Sequence, residues 1–189
     1  MKKKRIIPFN WLPASWGLVG PARKEAELHY YYEGYELERR LIDVQIDDET
    51  ARKQAILDLQ YQHKLIDANE HTLASAELVQ DEKSREIAIL EAKAEIGEIS
   101  QIEAEKEIAT LRGEPWVRIV NDGIDLVQGI DGYFFEFDWN NIWIKVLQEH
   151  GYMGATEEDI IQAWFQDVCR NEASASLGAP PINGGIVIG

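Results

Sequence analysis

The residues best equipped for metal or nucleophilic chemistry are four histidines and one cysteine, and their spacing builds neither kind of site. His63 and His71 lie eight positions apart with Glu70 between them. On one continuous helix that interval returns to nearly the same face, and two imidazoles with a carboxylate could hold zinc. A turn is expected between them, however, at Ile66–Asp67, so no metal site is expected. Cys169 stands in the helical pattern Trp164-Phe165-Gln166-Asp167-Val168-Cys169-Arg170. A reactive thiol needs a positioned base, and no histidine is placed beside it, so it reads as a small core residue. Asp47-Asp48-Glu49 offers clustered oxygen ligands, but an EF-hand loop alternates its ligands around a glycine at its sixth position, which is missing here. The acids read instead as helix caps. Glu136, Asp138, Glu157, Glu158, Asp159 and Asp167 would have to pair for general acid–base work. No Gly-rich loop and no Ser/His pair accompanies them. The expectation is therefore a chain with no catalytic, cofactor-binding or metal-binding residues and no small-molecule substrate.

The elements around these residues are chiefly helical. Between Ala55 and Leu111 the chain reads as two copies of a helix–turn–helix unit offset by 33 positions, with seven identities in 24 aligned positions. Ala55-Ile56-Leu57-Asp58 falls on Ala88-Ile89-Leu90-Glu91, Glu70 on Glu103 and Leu78 on Leu111. Each copy carries Asp67 or Ser100 followed three residues later by Glu70 or Glu103, the pattern of a capping box. The periodicity predicts helices over about 48–63, 67–95 and 100–112, with Gly97 in the second turn. Leu59, Ile66 and Leu73 are spaced by seven, as are Ile89 and Ile96. Short turns imply antiparallel neighbours, so hairpins or a staggered rod are expected. Upstream, residues 21–45 read as one further helix. Pro21 suits its first turn, and Gly34 is a weak point of about 1 kcal/mol. Arg112-Gly113-Glu114-Pro115 is a stop signal and the expected domain boundary.

Residues 114–175 are expected to form a small α+β domain. Trp116–Val120 and Tyr133–Asp138 read as the strands of a β-hairpin, with Asn121-Asp122-Gly123 and Gly129-Ile130-Asp131-Gly132 as turn material. Asp138 would cap a helix over about 139–149, and Thr156 with Asp159 would open another. Residues 176–189 have linker composition and read as a flexible tail with an apolar tip. The fold class expected is mainly α: elongated antiparallel helical hairpins plus a β-hairpin covered by two helices.

Residues 1–20 read as an extended arm. Lys2, Lys3, Lys4 and Arg5 are the only dense positive block in a chain of net charge -15. That balance disfavours broad contact with nucleic acid or an anionic membrane and suits a basic protein partner. If nucleic acid is touched at all, this block is where. Pro8, Pro13 and Gly17 forbid a long helix, yet Phe9, Trp11, Leu12, Trp16 and Leu18 are too apolar for a solvated tail. They either pack on their own helices or dock into a partner's groove as anchors. The tip Ile186, Val187 and Ile188 could add as a strand to a neighbouring sheet. Tyr30-Tyr31-Tyr32 reads as packing, since no basic residue interleaves with it. The start resembles that of a signal peptide, but Pro8, Asn10 and Pro13 interrupt the apolar region, so it is expected to be retained. No apolar run reaches the roughly 18 residues of a membrane span. One cysteine permits no internal disulfide.

Three stretches carry a resemblance: Pro8-Phe9-Asn10-Trp11-Leu12-Pro13-Ala14-Ser15-Trp16-Gly17-Leu18, Gly113-Glu114-Pro115-Trp116-Val117, and Phe135-Glu136-Phe137-Asp138-Trp139-Asn140 through to Trp164–Arg170. Their arrangement resembles conserved proteins of contractile-tailed bacteriophages, including marine cyanobacterial ones. Gly97, Ile99, Ser100 and Glu103 match a Gly-x-Ile-Ser/Thr-x-x-Glu turn, and with it the repeat resembles the short SHOCT-like helical hairpins. The first copy has Lys64 in the glycine's place. The resemblance implies a non-enzymatic virion protein that binds other phage structural proteins in the head, neck or tail, with self-association an option. The alternative is an acidic scaffold or chaperone that acts in the host cytoplasm during assembly and then leaves. No cofactor is implied.

Overall fold

The computed structural model describes residues 1–124 and 133–176. Among them are eight α-helices and one two-stranded antiparallel sheet near the C-terminus, a mainly α fold with a small α+β part. The chain divides into two compact units, Met1–Ile99 and the residues from Ser100 onward. The proline-and-glycine stop at Gly113 ends a helix but does not separate the units. That helix, α6 (Gln101–Arg112), is tied into the C-terminal unit. Lys106 donates to Asp138 at 2.6 Å, Arg118 donates to Glu105 at 2.8 Å, and Asn140 donates to Thr110 at 3.2 Å.

The N-terminal unit holds α1 (Gly20–Tyr31), α2 (Tyr35–Gln45), α3 (Glu49–Gln62), α4 (Ala68–Glu77) and α5 (Glu82–Glu95). The single helix expected over 21–45 is in fact two. Tyr32 is extended and forms a β-bridge with Lys2, and Gly34 sits at φ 57°. An L side chain rarely adopts that angle, so the glycine is where the chain reverses. The helix expected over 67–95 is also two. Asp81 is extended, and its carboxylate accepts the Ser84 N–H, capping α5. α3 and α4 run antiparallel, as their cross-links require. Gln54 donates to Ser75, while Asp58 meets His71 nearer the turn.

The 33-residue repeat is written into the backbone. α3 and α5 begin and end 33 positions apart, as do the caps Asp48 and Asp81, and Asp67 and Ser100. Lys64 and Gly97 occupy the same turn position with φ 55° and 79°. Leu65 N–H donates to the Gln60 carbonyl and Glu98 N–H to that of Lys93, both at 2.9 Å. These are the 6→1 closures that satisfy carbonyls at a helix end. Asp67 and Glu70 form the full reciprocal capping box, and Ser100 accepts from the Glu103 N–H.

In the C-terminal unit β1 (Val117–Ile124) pairs with β2 (Tyr133–Trp139), with an irregularity between Ile119 and Asn121. Asn121-Asp122-Gly123 thus continues the strand instead of turning. The bulge leaves Val120 unpaired and lets Asn121 face Glu136. Gly129–Gly132 lies outside the described residues. α7 (Asn141–Glu149) is capped by Asn140, not by Asp138 as expected. Asn140 Oδ1 accepts the Trp143 N–H, while Asp138 is occupied by Lys106 and the Trp139 N–H. α8 (Glu157–Ser176) opens on the Thr156–Asp159 box. The core is Trp143, Ile144 and Leu147 of α7 against Ile160, Ile161 and Trp164 of α8, with Val117, Phe137 and Trp139 packed on it.

Candidate docking arm

The arm is built from the tyrosine triplet outward. Three consecutive tyrosines cannot share one face of a helix, and here they split at its end. Tyr30 donates its hydroxyl to the Ile7 carbonyl at 2.8 Å. The Tyr31 hydroxyl accepts the Phe9 N–H at 2.9 Å. Tyr32 leaves the helix to bridge Lys2, and the Arg40 guanidinium lies 4.3 Å from its ring centroid.

The basic block is folded back onto the same helix. Lys3 N–H donates to the Tyr31 carbonyl at 2.7 Å, and its ammonium lies 3.7 Å from the Glu33 carboxylate. Arg5 Nε donates to the Tyr30 carbonyl at 3.1 Å, and its guanidinium stacks 4.8 Å from the Tyr30 ring centroid. A cation over an aromatic face adds about 0.5–1 kcal/mol at an exposed site. Lys2, Lys24 and Arg40, with Glu27 and Asp43, line an open cleft of about 480 Å³ beside α1 and α2. Three cations face two acids there, so both signs are present with one positive charge in excess.

Beyond this clasp the arm makes two 3₁₀ turns, Phe9–Trp11 and Pro13–Ser15. Each proline precedes or opens a turn, because its fixed φ suits that position. The turns divide the five expected contact residues. Phe9 is buried, 5% exposed, with its ring 5.8 Å from that of Tyr30. It belongs to the arm's own packing and is not available to a partner. Leu12 and Leu18 are half-buried. Trp11 and Trp16 are each 75% exposed. Trp16 Nε1 donates to the Asn10 carbonyl at 3.4 Å, and Arg23 holds the Asn10 amide oxygen at 3.0 Å. Ile6 and Val19 are also exposed. Ile186, Val187 and Ile188 lie outside the described residues.

His63 and His71 take different carboxylate partners. His63 Nε2 lies 3.0 Å from Glu38, and His71 Nε2 lies 2.8 Å from Asp58. The His71 hydrogen bond holds the Asp58 carboxyl below its usual value, against the opposing effect of desolvation. Among the described residues no three His, Cys, Asp or Glu side chains gather as a metal site would require, and no helix is long and apolar enough to cross a membrane. Cys169 is exposed, contrary to the expected core position. It lies beyond the stripe formed by Ile160, Ile161 and Trp164. Comparison with family models, with curated proteins and with solved structures returned no match.

Proposed function

We propose that this chain is a non-enzymatic assembly protein that docks onto other subunits through Trp11 and Trp16. The observation that carries the reading is that two indoles stand three-quarters exposed on an arm whose backbone is fixed by hydrogen bonds. A Trp buries roughly 150–250 Å², and at about 25 cal/mol per Å² two of them would contribute several kcal/mol on docking. Because the arm is already ordered, little of that is lost to ordering it. The thin interior of the N-terminal unit points the same way. Among its described apolar residues only Phe9, Leu59 and Ala92 are fully buried. Helices with so little core gain from a partner's surface.

The finer attribution, a structural subunit in the head, neck or tail of a bacteriophage particle, rests on the sequence resemblance alone. The net charge of -15 favours a second reading, an acidic scaffold or chaperone that shields a basic partner and leaves before maturity. One experiment separates docking from mere packing. Trp11→Ala with Trp16→Ala is expected to abolish co-purification with partner subunits while leaving far-UV circular dichroism unchanged. A loss of helicity would instead make the arm part of the core.

A further inference from the structure

A second surface lies in the C-terminal unit, independent of the arm. β2 is paired only with β1, so its other edge carries unpaired N–H and C=O groups among the described residues. A groove of about 490 Å³ runs beside it, with Phe134 through Phe137 on one side and Glu158, Ile161 and Phe165 of α8 on the other. Successive strand residues point to opposite faces. Phe135 and Phe137 face α8, their rings 5.2 and 5.0 Å from that of Phe165. Glu136 faces the other way, where it accepts from the Asn121 amide at 3.4 Å. A groove bordered by all four in a row must therefore reach the strand's edge. Its ionised lining groups are Glu136 and Glu158, both exposed, with no lysine or arginine among the lining residues.

We propose that this groove accepts an extended basic segment of a partner protein, added to β2 as a third strand. The edge, unpaired among the described residues, supplies main-chain hydrogen bonds, and the groove between strand and helix supplies side-chain pockets, the usual division in strand addition. Apolar residues of the segment meet Phe135, Phe137 and Ile161. Its arginines or lysines, on the face away from α8, meet Glu136 and the Phe134 ring, which attracts cations, while Glu158 adds negative potential from the α8 side. Lys3 and Arg5 of the chain's own basic block are engaged by α1, and the proposed occupant is a segment of another protein.

Fluorescence anisotropy on the full chain tests this with a blocked peptide alternating valine and arginine, and with its valine–glutamate counterpart. The basic peptide should bind and the acidic one should not. Glu136→Lys with Glu158→Lys should weaken the basic peptide about tenfold or more, with circular dichroism unchanged. Methylating alternate backbone amides of the peptide should have a comparable effect. The same charge change made elsewhere, Glu98→Lys with Glu107→Lys, should leave binding nearly intact. Equal binding of both peptides, equal weakening by the two double variants, or indifference to N-methylation would overturn the proposal.

Discussion

Asn140 ties three segments of the C-terminal unit together through one side chain. Its amide oxygen accepts from the Trp116 and Trp143 N–H groups, and its amide nitrogen donates to Thr110 and to the Glu114 carbonyl. It is 3% exposed, and its bond to the Trp143 N–H is fully buried, while Thr110 and Glu114 lie at the surface. Asn140→Ala removes a helix cap and strands the buried Trp143 N–H, and should destabilise by about 2 kcal/mol or more in urea unfolding followed by Trp fluorescence. A loss below about 1 kcal/mol would mean that the network is dispensable. Asp58 sets a pH dependence of predictable sign. Hydrogen bonding to His71 lowers its folded-state pKa, so the stabilisation is present above the ordinary carboxylate value of about 3.9 and is lost as pH falls through the lower folded value. The group is nearly half exposed, so the effect is small. Acid titration of stability should be shallower below that ordinary value in Asp58→Asn than in the parent, and identical curves would contradict the assignment.

The repeat is the feature that governs the elements, and it can be tested at its two turns. Among the described residues Lys64 is the non-glycine residue held at positive φ, where Gly97 stands in the second copy. A left-handed residue with a Cβ costs about 1–2 kcal/mol, and a glycine returns about 0.5–1 of that through unfolded-state entropy. Lys64→Gly should therefore stabilise by roughly 0.5–1 kcal/mol, and Gly97→Ala should destabilise by a similar amount. A Cβ at Gly97 would meet nothing within 4 Å, so the loss reports backbone strain alone. Thermal melts giving the opposite signs would show that the two turns are not equivalent. Much of this layer was legible in the sequence. Caps announce themselves through short polar side chains at fixed intervals, which is why Asp67, Ser100 and Thr156 were readable. The breaks at Glu33 and Leu78 were not, because apolar periodicity continues across them. Asp81 could have been found by extending the 33-residue offset upstream to its counterpart Asp48. The bulge beside Val120 was hidden because Asn-Asp-Gly reads locally as a turn, and only pairing with Tyr133–Glu136 keeps it extended. Asp138 and Asn140 are both good caps, and the choice between them rests on Lys106, 32 positions away.

At the scale of the molecule, the division of labour within the arm is the main result for function. The sequence shows that its aromatics must be buried somewhere, but not which of them go inward. That depends on the tyrosine triplet, which fixes the chain at Ile7 and Phe9 and leaves the following turns to present Trp11 and Trp16. The unit behind the arm contributes a helical layer with few buried apolar residues, and the C-terminal unit contributes an aromatic core with a strand edge left unpaired among the described residues. Such a chain is suited to being held by neighbours, and the most direct measurement follows that suggestion. Quantitative mass spectrometry would compare purified phage particles assembled with the parent chain and with Trp11→Ala/Trp16→Ala. If the chain is the phage subunit proposed above, the parent should be present at on the order of tens of copies, as a symmetry-repeated position requires. The double variant should fall to background while its circular dichroism stays that of the parent. Equal incorporation of both chains would contradict docking through the arm, and absence of the parent from particles despite abundance in infected cells would contradict the structural role.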